Sequence, residues 1–324
     1  MHPSSSSGGH PYFHSFLKMK KLASLAILGG FAATCMPHSA IAADISDYAK
    51  TGSTITIQTL EASAVTYNRD TGLLYTVGDE GGYIIPLTTS GVVVSDQRMG
   101  LGSFQDPEGL AYIGNGKFLM TEERKQIAHE FTYIPAPTVG AAPGDTMEYV
   151  FGGQAFNEGL EGVSYDRLTN TIWGVKEKNP QLVYQMSDLG GSKIVSIPFD
   201  SAPLSLSDYG DIYMMSNSDA FTGTDREWNI LLLSQEASRI VEVTRTGEIV
   251  GTLDISNLGA GYGSIEGLTM DDNGTLYLVG EGAGSSSPSN LYILNAVPEP
   301  STYALLGLGA MVAAITVLRR SNAA

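Results

Sequence analysis

Cysteine and histidine are scarce in this chain of 324 residues, which holds one cysteine and five histidines. Cys35 and four of the histidines precede Ala42, the predicted end of a signal peptide, so His129 alone remains in the predicted mature chain. The lack of thiols excludes disulfides, thiolate zinc sites and cysteine nucleophiles. A serine–histidine–aspartate triad could be built only on His129, and no Gly-x-Ser-x-Gly motif is present. We expect His129, in the strand-like segment Ala128–Tyr133, to be a partly exposed structural residue.

Residues 1–42 predict a secretory signal peptide. Met19-Lys20-Lys21 begins a basic region, Leu22–Ala33 is apolar, and Ala40-Ile41-Ala42 supplies a small-x-small cleavage site. Since the first eighteen residues match no targeting element, Met19 is the predicted true start of translation. The sequence therefore predicts an exported protein.

Basic residues are few as well: 18 Lys and Arg stand against 34 Asp and Glu, which gives a formal charge of −16. Five of the basic residues lie near the two ends, so the region between them is more acidic still. Binding of phosphate backbones needs a basic surface, so this balance argues against nucleic acid as a partner. It suits Ca²⁺, which prefers carboxylate and carbonyl oxygens as ligands.

Long helical patterns are lacking between the two ends of the chain. Residues 51–296 contain short apolar runs separated by turn residues, a pattern typical of strands. The predicted strands include Thr54–Gln58, Leu73–Val77, Gly91–Val94, Phe118–Thr121, Thr171–Val175, Ile230–Leu233 and Thr275–Val279. The predicted fold class is all-β, in one domain over residues 51–296.

A strand–turn–strand unit recurs along this domain. Its copies start at residues 63, 108, 161, 211 and 266, which are 45 to 55 residues apart, and three of them begin with a Glu-Gly pair. A repeat of this length indicates a β-propeller, in which each unit forms one blade. Five copies predict five blades, and six is the alternative because a blade can lack the motif.

Acidic residues recur before the first strand and after the second strand of the units. In a propeller the first strand lines the channel and the second runs antiparallel to it, so both places lie on one face of the disc. Like charges raise one another's pKa unless a cation neutralises them, and Ca²⁺ accepts six to eight oxygens. Alternatively, each Glu holds its own blade through backbone N–H groups or by pairing with Arg124, Lys176 or Lys178. The candidate metal ligands are Glu108, Glu161 and Glu266, with Asp79, Asp211 and Glu281 as weaker candidates.

Residues 297–324 have the layout of a sorting signal. Pro298-Glu299-Pro300 cannot continue a helix or a central strand and therefore ends the folded domain. The apolar run Tyr303–Leu318, slightly short of the roughly 20 residues of a membrane span, and the basic pair Arg319-Arg320 follow it. This layout resembles the PEP-CTERM sorting signal, which implies recognition by an exosortase-type protease. An ordinary C-terminal membrane anchor is the alternative. Both predict a hydrophobic helix, held transiently or permanently at the inner membrane through residues 303–318, and an envelope or extracellular location.

The repeats carry a second resemblance. Glu122-Glu123-Arg124, the run Lys176–Pro180 and Glu266-Gly267 with the following Gly274–Tyr277 resemble the SdiA-regulated family of bacterial propellers, which is distantly related to NHL-repeat proteins. The resemblance implies a propeller with a calcium site and no firmly assigned biochemical activity. In related calcium-dependent propeller hydrolases, a Glu in a similar Glu-Gly setting binds the central metal.

Two functions of different classes agree with these features. The favoured one is an exported, calcium-stabilised binding module whose ligand is an exopolysaccharide or another matrix component. The alternative is a calcium-dependent hydrolase of lactones or phosphoesters, in which the metal polarises the scissile group and Glu123 or Glu177 acts as general base. The sequence places no nucleophile and no cationic clamp beside these carboxylates, and this favours binding.

Overall fold

A computed structural model describes residues 44–79, 82–102, 104–135, 146–189, 192–258, 264–283, 287–297 and 300–321. The predicted signal peptide (1–42) and two residues of the predicted sorting motif, Pro298 and Glu299, lie outside these ranges. In the described part of the chain, the strands form five antiparallel sheets, each made largely of strands that follow one another in sequence. This arrangement is a five-bladed β-propeller, as the repeats predicted.

The strands come in chain order, from the first to the fifth blade. Two N-terminal strands precede the repeats: β1 (Tyr48–Lys50) and β2 (Ile55–Leu60). The first and second blades contain β3 (Ala62–Asn68), β4 (Leu73–Gly78), β5 (Tyr83–Leu87) and β6 (Met99–Gly100), then β7 (Leu110–Gly114), β8 (Lys117–Glu122), β9 (Ile127–Thr132) and β10 (Met147–Val150). The third and fourth contain β11 (Leu160–Asp166), β12 (Thr171–Lys176), β13 (Leu182–Leu189) and β14 (Ser192–Ser196), then β15 (Asp211–Met214), β16 (Ile230–Ser234), β17 (Arg239–Val243) and β18 (Ile249–Asp254). The fifth contains β19 (Ile265–Met270), β20 (Leu276–Gly280) and β21 (Pro288–Ala296).

The ring closes through the N-terminal strands. Both β1 and β2 pair antiparallel with β21, so the two ends of the domain share the fifth sheet. This pairing leaves no described blade without its outer strands. It also ties the start of the domain to its end, so that neither terminal blade can fray by itself.

The hydrophobic core lies between neighbouring blades. Each of five buried clusters joins the facing sides of two adjacent sheets; Tyr75 and Val77 of the first blade, for example, pack with Phe118 and Phe131 of the second. Burial of apolar surface contributes about 25 cal/mol per Å². The continuous apolar runs of the second strands are explained by this packing, since both faces of those strands are covered.

Hydroxyl groups on the innermost strands tie three pairs of neighbouring blades together. The backbone N–H of Tyr112 donates to Oγ1 of Thr66 at 3.0 Å, and the N–H of Met214 donates to Oγ of Ser164 at 3.0 Å. The N–H of Tyr67 donates to Oγ1 of Thr269 at 3.1 Å. The innermost strands do not pair into one sheet, so these side chains satisfy buried N–H groups that have no ladder partner.

A helix follows the fifth blade in sequence. The C-terminal helix α1 (Pro300–Ser321) begins at the last proline of the predicted sorting motif and ends just after Arg319 and Arg320. None of the helices in the described ranges is both long and apolar enough to cross a membrane. The strand predicted at Gly91–Val94 is wrong: this segment follows a turn at Thr88–Gly91 and forms a single bridge, between Val93 and Leu87.

Candidate metal centre

The propeller brings one position of every blade to the same end of the central channel. That position is the residue directly after the second strand. Four blades place a carboxylate there and the fourth blade places an amide: Asp79, Glu123, Glu177, Gln235 and Glu281. The first strands begin at this end as well, and they contribute Glu108, Glu161 and Glu266. The sequence argument for one shared acidic face thus agrees with the positions of these residues.

Local backbone geometry explains why glycine follows two of these glutamates. Glu161 and Glu266 each lie at a register shift where β11 and β19 meet their second strands, so a bulge turns the residue out of the ladder. A Cβ on Gly162 would lie 2.6 Å from Cα of Asp211 in the next blade, and one on Gly267 would lie 2.8 Å from Cα of Ala64. The Glu-Gly pair therefore combines a side chain aimed at the channel with a close approach of two backbones.

The carboxylates enclose a cavity of about 360 Å³ at this end of the channel, the acidic cavity. Its described lining is mostly polar. It comprises Ser63, Asp79, Asp106, Glu108, Glu123, Arg124, Asn157, Glu158, Glu161, Glu177, Lys178, Tyr209, Gly210, Gln235, Glu266 and Glu281. All nine carboxylates of this described lining come from the first, second, third and fifth blades or from the loops that lead into them. The fourth blade contributes no carboxylate to this described lining.

Three glutamates approach one another most closely. Glu123, Glu161 and Glu177 each offer a carboxylate oxygen, and these oxygens all lie within 4.8 Å of one another. Glu123 also accepts the backbone N–H of Gly159 at 3.2 Å, which fixes its carboxylate at the entrance to β11. This acidic trio is the set of described residues whose geometry fits one shared cation.

Burial and mutual repulsion raise the pKa of these groups. Burial raises the pKa of Glu161 well above its usual value, and the charges of Glu108 and Glu123 raise it further. Burial together with Asp79 raises the pKa of Glu108 to about 7, against a partial offset from the Ser63 hydroxyl. Glu266 is also raised well above its usual value, by burial and then by Glu281. The cavity therefore holds more negative charge than its protein surroundings neutralise.

Most contacts of the basic residues near the cavity are with groups outside the acidic trio. Arg124 pairs with Asp106 at 2.8 Å, and the ammonium of Lys176 donates to the backbone carbonyl of Glu158 at 2.6 Å. Lys178 does pair with a member of the trio, Glu177, at 3.0 Å, but it also pairs with Glu236 at 2.6 Å. Of the alternative pairings considered from the sequence, the described contacts thus contain the one between Lys178 and Glu177.

The predicted site residues fall into two groups. Glu108, Glu161, Glu266, Asp79 and Glu281 all line the acidic cavity, and the two candidate general bases, Glu123 and Glu177, lie beside Glu161. Asp211 does not line it.

Asp211 instead joins two blades. It is fully buried, and its two carboxylate oxygens accept the backbone N–H groups of Ile212 and Leu268, each at 2.8 Å. Burial raises its pKa well above the usual value, against these two hydrogen bonds. The carboxylate thus ties the fourth blade to the fifth, just as Thr and Ser hydroxyls tie other pairs of neighbouring blades.

Among the lining residues that were not singled out from the sequence, two hydrogen-bond to predicted metal ligands. Gln235 donates to Oε1 of Glu266 at 2.7 Å, and Ser63 hydrogen-bonds to Glu108. Both occupy repeat positions that carry an acidic residue in other blades, so alignment of the repeats was the signal that could have identified them.

The single histidine of the predicted mature chain is absent from the described lining of the acidic cavity. His129 is 6% exposed, and its Nε2 lies 2.7 Å from Oε2 of Glu122. Burial would raise the pKa of Glu122, but hydrogen bonds from His129 and Lys125 outweigh it and lower the pKa to about 2. The prediction that His129 is partly exposed is wrong, because this ion pair and the ring of Phe104 cover it.

Comparisons with known proteins bear on both parts of the chain. The family model described as SdiA-regulated matches residues 42–284, and the model of the PEP-CTERM protein-sorting motif matches residues 296–321.

Several solved structures are also similar to the chain. One is a luciferin-regenerating enzyme, at 11% identity and a TM-score of 0.46 over 76% of this chain and 96% of that one. Another is a gluconolactonase from Xanthomonas campestris, at 11% identity and a TM-score of 0.45 over 79% and 97%. A streptogramin B lyase matches at 14% identity and a TM-score of 0.40 over 78% and 74%. At these identities and scores, none of the three assigns an activity to this chain.

Proposed function

Because the chain belongs to the SdiA-regulated family and ends in a PEP-CTERM sorting motif, we propose that it is an exported propeller that binds Ca²⁺ in its acidic cavity and acts as a binding module. The sorting motif implies export and recognition by an exosortase-type system. What we propose beyond export is that the protein binds calcium and that it acts as a binding module. The geometry of the acidic trio is the observation that carries it.

The spacing of the trio suits one calcium ion. Ca²⁺ holds its oxygen ligands at about 2.3–2.6 Å, so two oxygens on opposite sides of one ion are up to about 5 Å apart. Oxygens of Glu123, Glu161 and Glu177 lie within 4.8 Å of one another, and all three are carboxylates, the ligand type that calcium prefers. Glu108 and Glu266 line the same cavity and would add charge around the ion.

The energetic argument points the same way. Carboxylates that share a cavity and raise one another's pKa make the metal-free protein less stable at neutral pH. A divalent cation removes that repulsion by neutralising the carboxylates. Calcium therefore stabilises the native state by mass action, and the gain in unfolding free energy grows with the logarithm of the calcium concentration once that exceeds the dissociation constant.

A binding role fits the remaining contents of the cavity. Its described basic residues are engaged in ion pairs or bind backbone carbonyls, and the histidine lies elsewhere. A cation with incomplete protein coordination binds hydroxyl oxygens, so we propose a saccharide of the extracellular matrix or exopolysaccharide as the ligand. The predicted hydrolase is the alternative, and in it Glu108 or Glu266, which the trio leaves unused, would serve as general base in place of Glu123 or Glu177.

The C-terminal segment supplies the location. We propose that Pro298, Glu299 and Pro300 form the signal that an exosortase-type protease recognises, that residues 303–318 hold the chain at the inner membrane before processing, and that Arg319 and Arg320 mark the cytoplasmic flank. Export of a chain that lacks residues 297–324 tests this. The truncated protein should fail to reach the outer envelope, and normal sorting without the segment would contradict the proposal.

Thermal unfolding tests the metal. The melting temperature of the purified protein should rise by several degrees when calcium replaces a chelator, since the ion binds the native state alone. Glu161→Gln should remove most of this shift. Glu148→Gln, which changes an exposed glutamate of β10 outside the cavity, is the matched control and should retain it. Equal melting temperatures with calcium and with chelator would refute calcium binding.

A second experiment separates binding from hydrolysis. Saccharide binding should need calcium and should be lost in Glu161→Gln, while a panel of lactones and phosphoesters should show no calcium-dependent turnover. Turnover that disappears in Glu161→Gln and in Glu108→Gln, but not in Glu148→Gln, would favour the hydrolase instead.

A further inference from the structure

The other end of the central channel holds a second cavity, of about 290 Å³, the arginine cavity. It lies at the far ends of the innermost strands: β11, for example, carries Glu161 as its second residue near the acidic cavity and is followed by Arg167 at the arginine cavity. Nothing in the proposed calcium site uses these residues. The two cavities are therefore separate sites joined by the same five strands.

The described lining of the arginine cavity has the opposite electrostatic character. Its charged members are Arg69, from the turn after β3, and Arg167, from the turn after β11, and it contains no carboxylate. Tyrosines form much of the remaining wall: Tyr67, Tyr112, Tyr165 and Tyr213. A cavity with two guanidinium groups and an aromatic wall has the chemistry of a pocket for an organic anion.

A carboxylate of the protein itself already binds both arginines. Oδ1 of Asp219 lies 2.9 Å from Nη2 of Arg69 and 2.7 Å from Nη2 of Arg167. Asp219 belongs to the 3₁₀ turn Asp219–Phe221, and its side chain is 58% exposed. This turn lies in the long connection between β15 and β16 (residues 215–229), the insertion of the fourth blade. An exposed carboxylate shared between two arginines shows which chemical group the pair accepts.

We infer that the arginine cavity binds a small organic monocarboxylate, which takes the place of the Asp219 side chain between Arg69 and Arg167. Exposed ion pairs contribute little to stability, so displacing Asp219 from both arginines costs the protein little. Arg69 keeps a second partner, Asp272, and this leaves one uncompensated positive charge for the incoming group. One positive charge matches one carboxylate.

Size and wall chemistry narrow the ligand further. The cavity is at the small end of the range of about 300–1,000 Å³ that is usual for small-molecule pockets, so it suits a ligand of one ring. The hydroxyls of Tyr112, Tyr165 and Tyr213 donate to groups of the protein, so these tyrosines offer a ligand apolar ring surface and an acceptor oxygen. This combination suits a ring that carries hydroxyl donors. A sugar acid such as glucuronate combines these properties and is the probe we choose.

Calorimetric titration of the purified full-length chain with glucuronate tests the inference. Arg167→Gln should weaken binding by about tenfold or more, because it removes one charge-assisted hydrogen bond. Asp219→Asn should strengthen it, since the competing carboxylate becomes a neutral amide. Arg239→Gln, at an exposed arginine of β17 outside the described lining of the cavity, is the matched control and should leave binding unchanged.

Neutral and inorganic probes complete the test. Glucose should not bind, because it lacks the carboxylate, and inorganic phosphate should bind more weakly than glucuronate. Binding of phosphate alone would overturn the assignment of a carboxylate. Absence of glucuronate binding in both the wild type and Asp219→Asn would overturn the site itself, and would show that the arginines serve only to hold the insertion. Thermal melts of each variant establish that it is folded.

Discussion

The two ends of the central channel carry opposite charges and handle them differently. At the acidic cavity, Glu108, Glu161 and Glu266 are crowded, and burial and mutual repulsion raise the pKa of each. At the arginine cavity, Arg69 and Arg167 are paired with aspartates close to water. The acidic end thus carries more carboxylates than basic groups of the protein neutralise. At the arginine end, Asp219 neutralises the arginines, and a ligand can replace it.

This difference in charge arises from the direction in which the strands run. First strands begin and second strands end at the acidic cavity, where the repeat places its glutamates. The short turns between these strands lie at the other end, together with the insertion of the fourth blade, which supplies Asp219. The repeat therefore places carboxylates at the acidic end from four of the five blades, whereas two turn residues, Arg69 and Arg167, and one insertion form the charged part of the arginine end. Each of the following predictions tests one side of this contrast.

The largest effect is expected where the acidic end is most crowded. A Cβ on Gly162 would lie 2.6 Å from Cα of Asp211, so Gly162→Ala should force the third and fourth blades apart. Overpacking of this kind costs about 1–3 kcal/mol or more, and the loss should appear in the free energy of unfolding from denaturant titration. Gly153→Ala is the control, because no atom lies within 4 Å of its added Cβ. A stability equal to that of the control would show that the blades adjust freely and that the Glu-Gly pair is not a packing requirement.

The second prediction concerns pH. In the folded, metal-free protein the pKa of Glu108 is raised to about 7 and that of Glu161 is raised well above its usual value, whereas in the unfolded chain both titrate near 4.3. Between these values the native state binds more protons than the unfolded state, so stability falls as the pH rises from about 4.5 to about 7.

Thermal melts across this range provide the measurement. The melting temperature should decline with rising pH in chelator, and Glu161→Gln should reduce the decline because it removes one of the titrating groups. Saturating calcium should remove it as well, since the bound ion keeps the carboxylates ionised in the native state. A melting temperature that rises through this pH range without metal would contradict the assignment of the raised pKa values.

The blades and the acidic end could be predicted from the sequence, because both depend on repetition. The spacing of the five strand–turn–strand copies predicted the five blades. The antiparallel course of the first two strands predicted that Glu108, Glu161 and Glu266 share one face with Glu123 and Glu177. Each of these inferences needs only strand direction and blade order. They hold whatever the exact packing of the side chains is.

Features that depend on side-chain geometry could not be predicted. Which glutamates approach within reach of one ion is decided by bulges and by the rotamers of Glu123, Glu161 and Glu177, and no pattern in the sequence reports these. Asp211 resembles a rim carboxylate in sequence, but the backbone donors of Ile212 and Leu268 engage it. The contacts of Asp219 join an insertion to the first and third blades, and insertions carry no repeat signal.

A third, smaller effect is expected from completing the acidic ring. Gln235→Glu would place a fourth-blade carboxylate next to Glu266, whose Oε1 now accepts a hydrogen bond from the amide at 2.7 Å. Calcium affinity should rise by up to about tenfold, while the metal-free protein should become less stable through added repulsion. Calcium titration followed by calorimetry measures the first effect, and melts in chelator measure the second. Gln58→Glu, at an exposed glutamine of β2, is the control, and an equal change in both variants would mean that overall charge, rather than the ring, controls affinity.

The smallest effect on stability is expected at the arginine cavity, from the removal of one carboxylate. Asp219→Asn removes a carboxylate from two solvent-accessible ion pairs, and such pairs contribute about 0–1 kcal/mol each. The loss in unfolding free energy should therefore stay small, and it should vanish in about 1 M salt, where the Debye length is about 3 Å.

Glu161→Gln provides the comparison at the acidic end, with the opposite sign. In chelator it should raise the stability of the protein at neutral pH, because it removes a half-buried carboxyl group whose ionisation is opposed by its surroundings and by neighbouring carboxylates. Salt should reduce this gain less than it reduces the loss in Asp219→Asn, since desolvation is not screened by ions. Parallel denaturant titrations of the two variants at low and high salt make the measurement. If Asp219→Asn instead gave the larger change in unfolding free energy, and high salt did not reduce it, Asp219 and the two arginines would form a structural clamp. The contrast between an acidic end with unneutralised carboxylates and an arginine end with an exchangeable carboxylate would then be wrong.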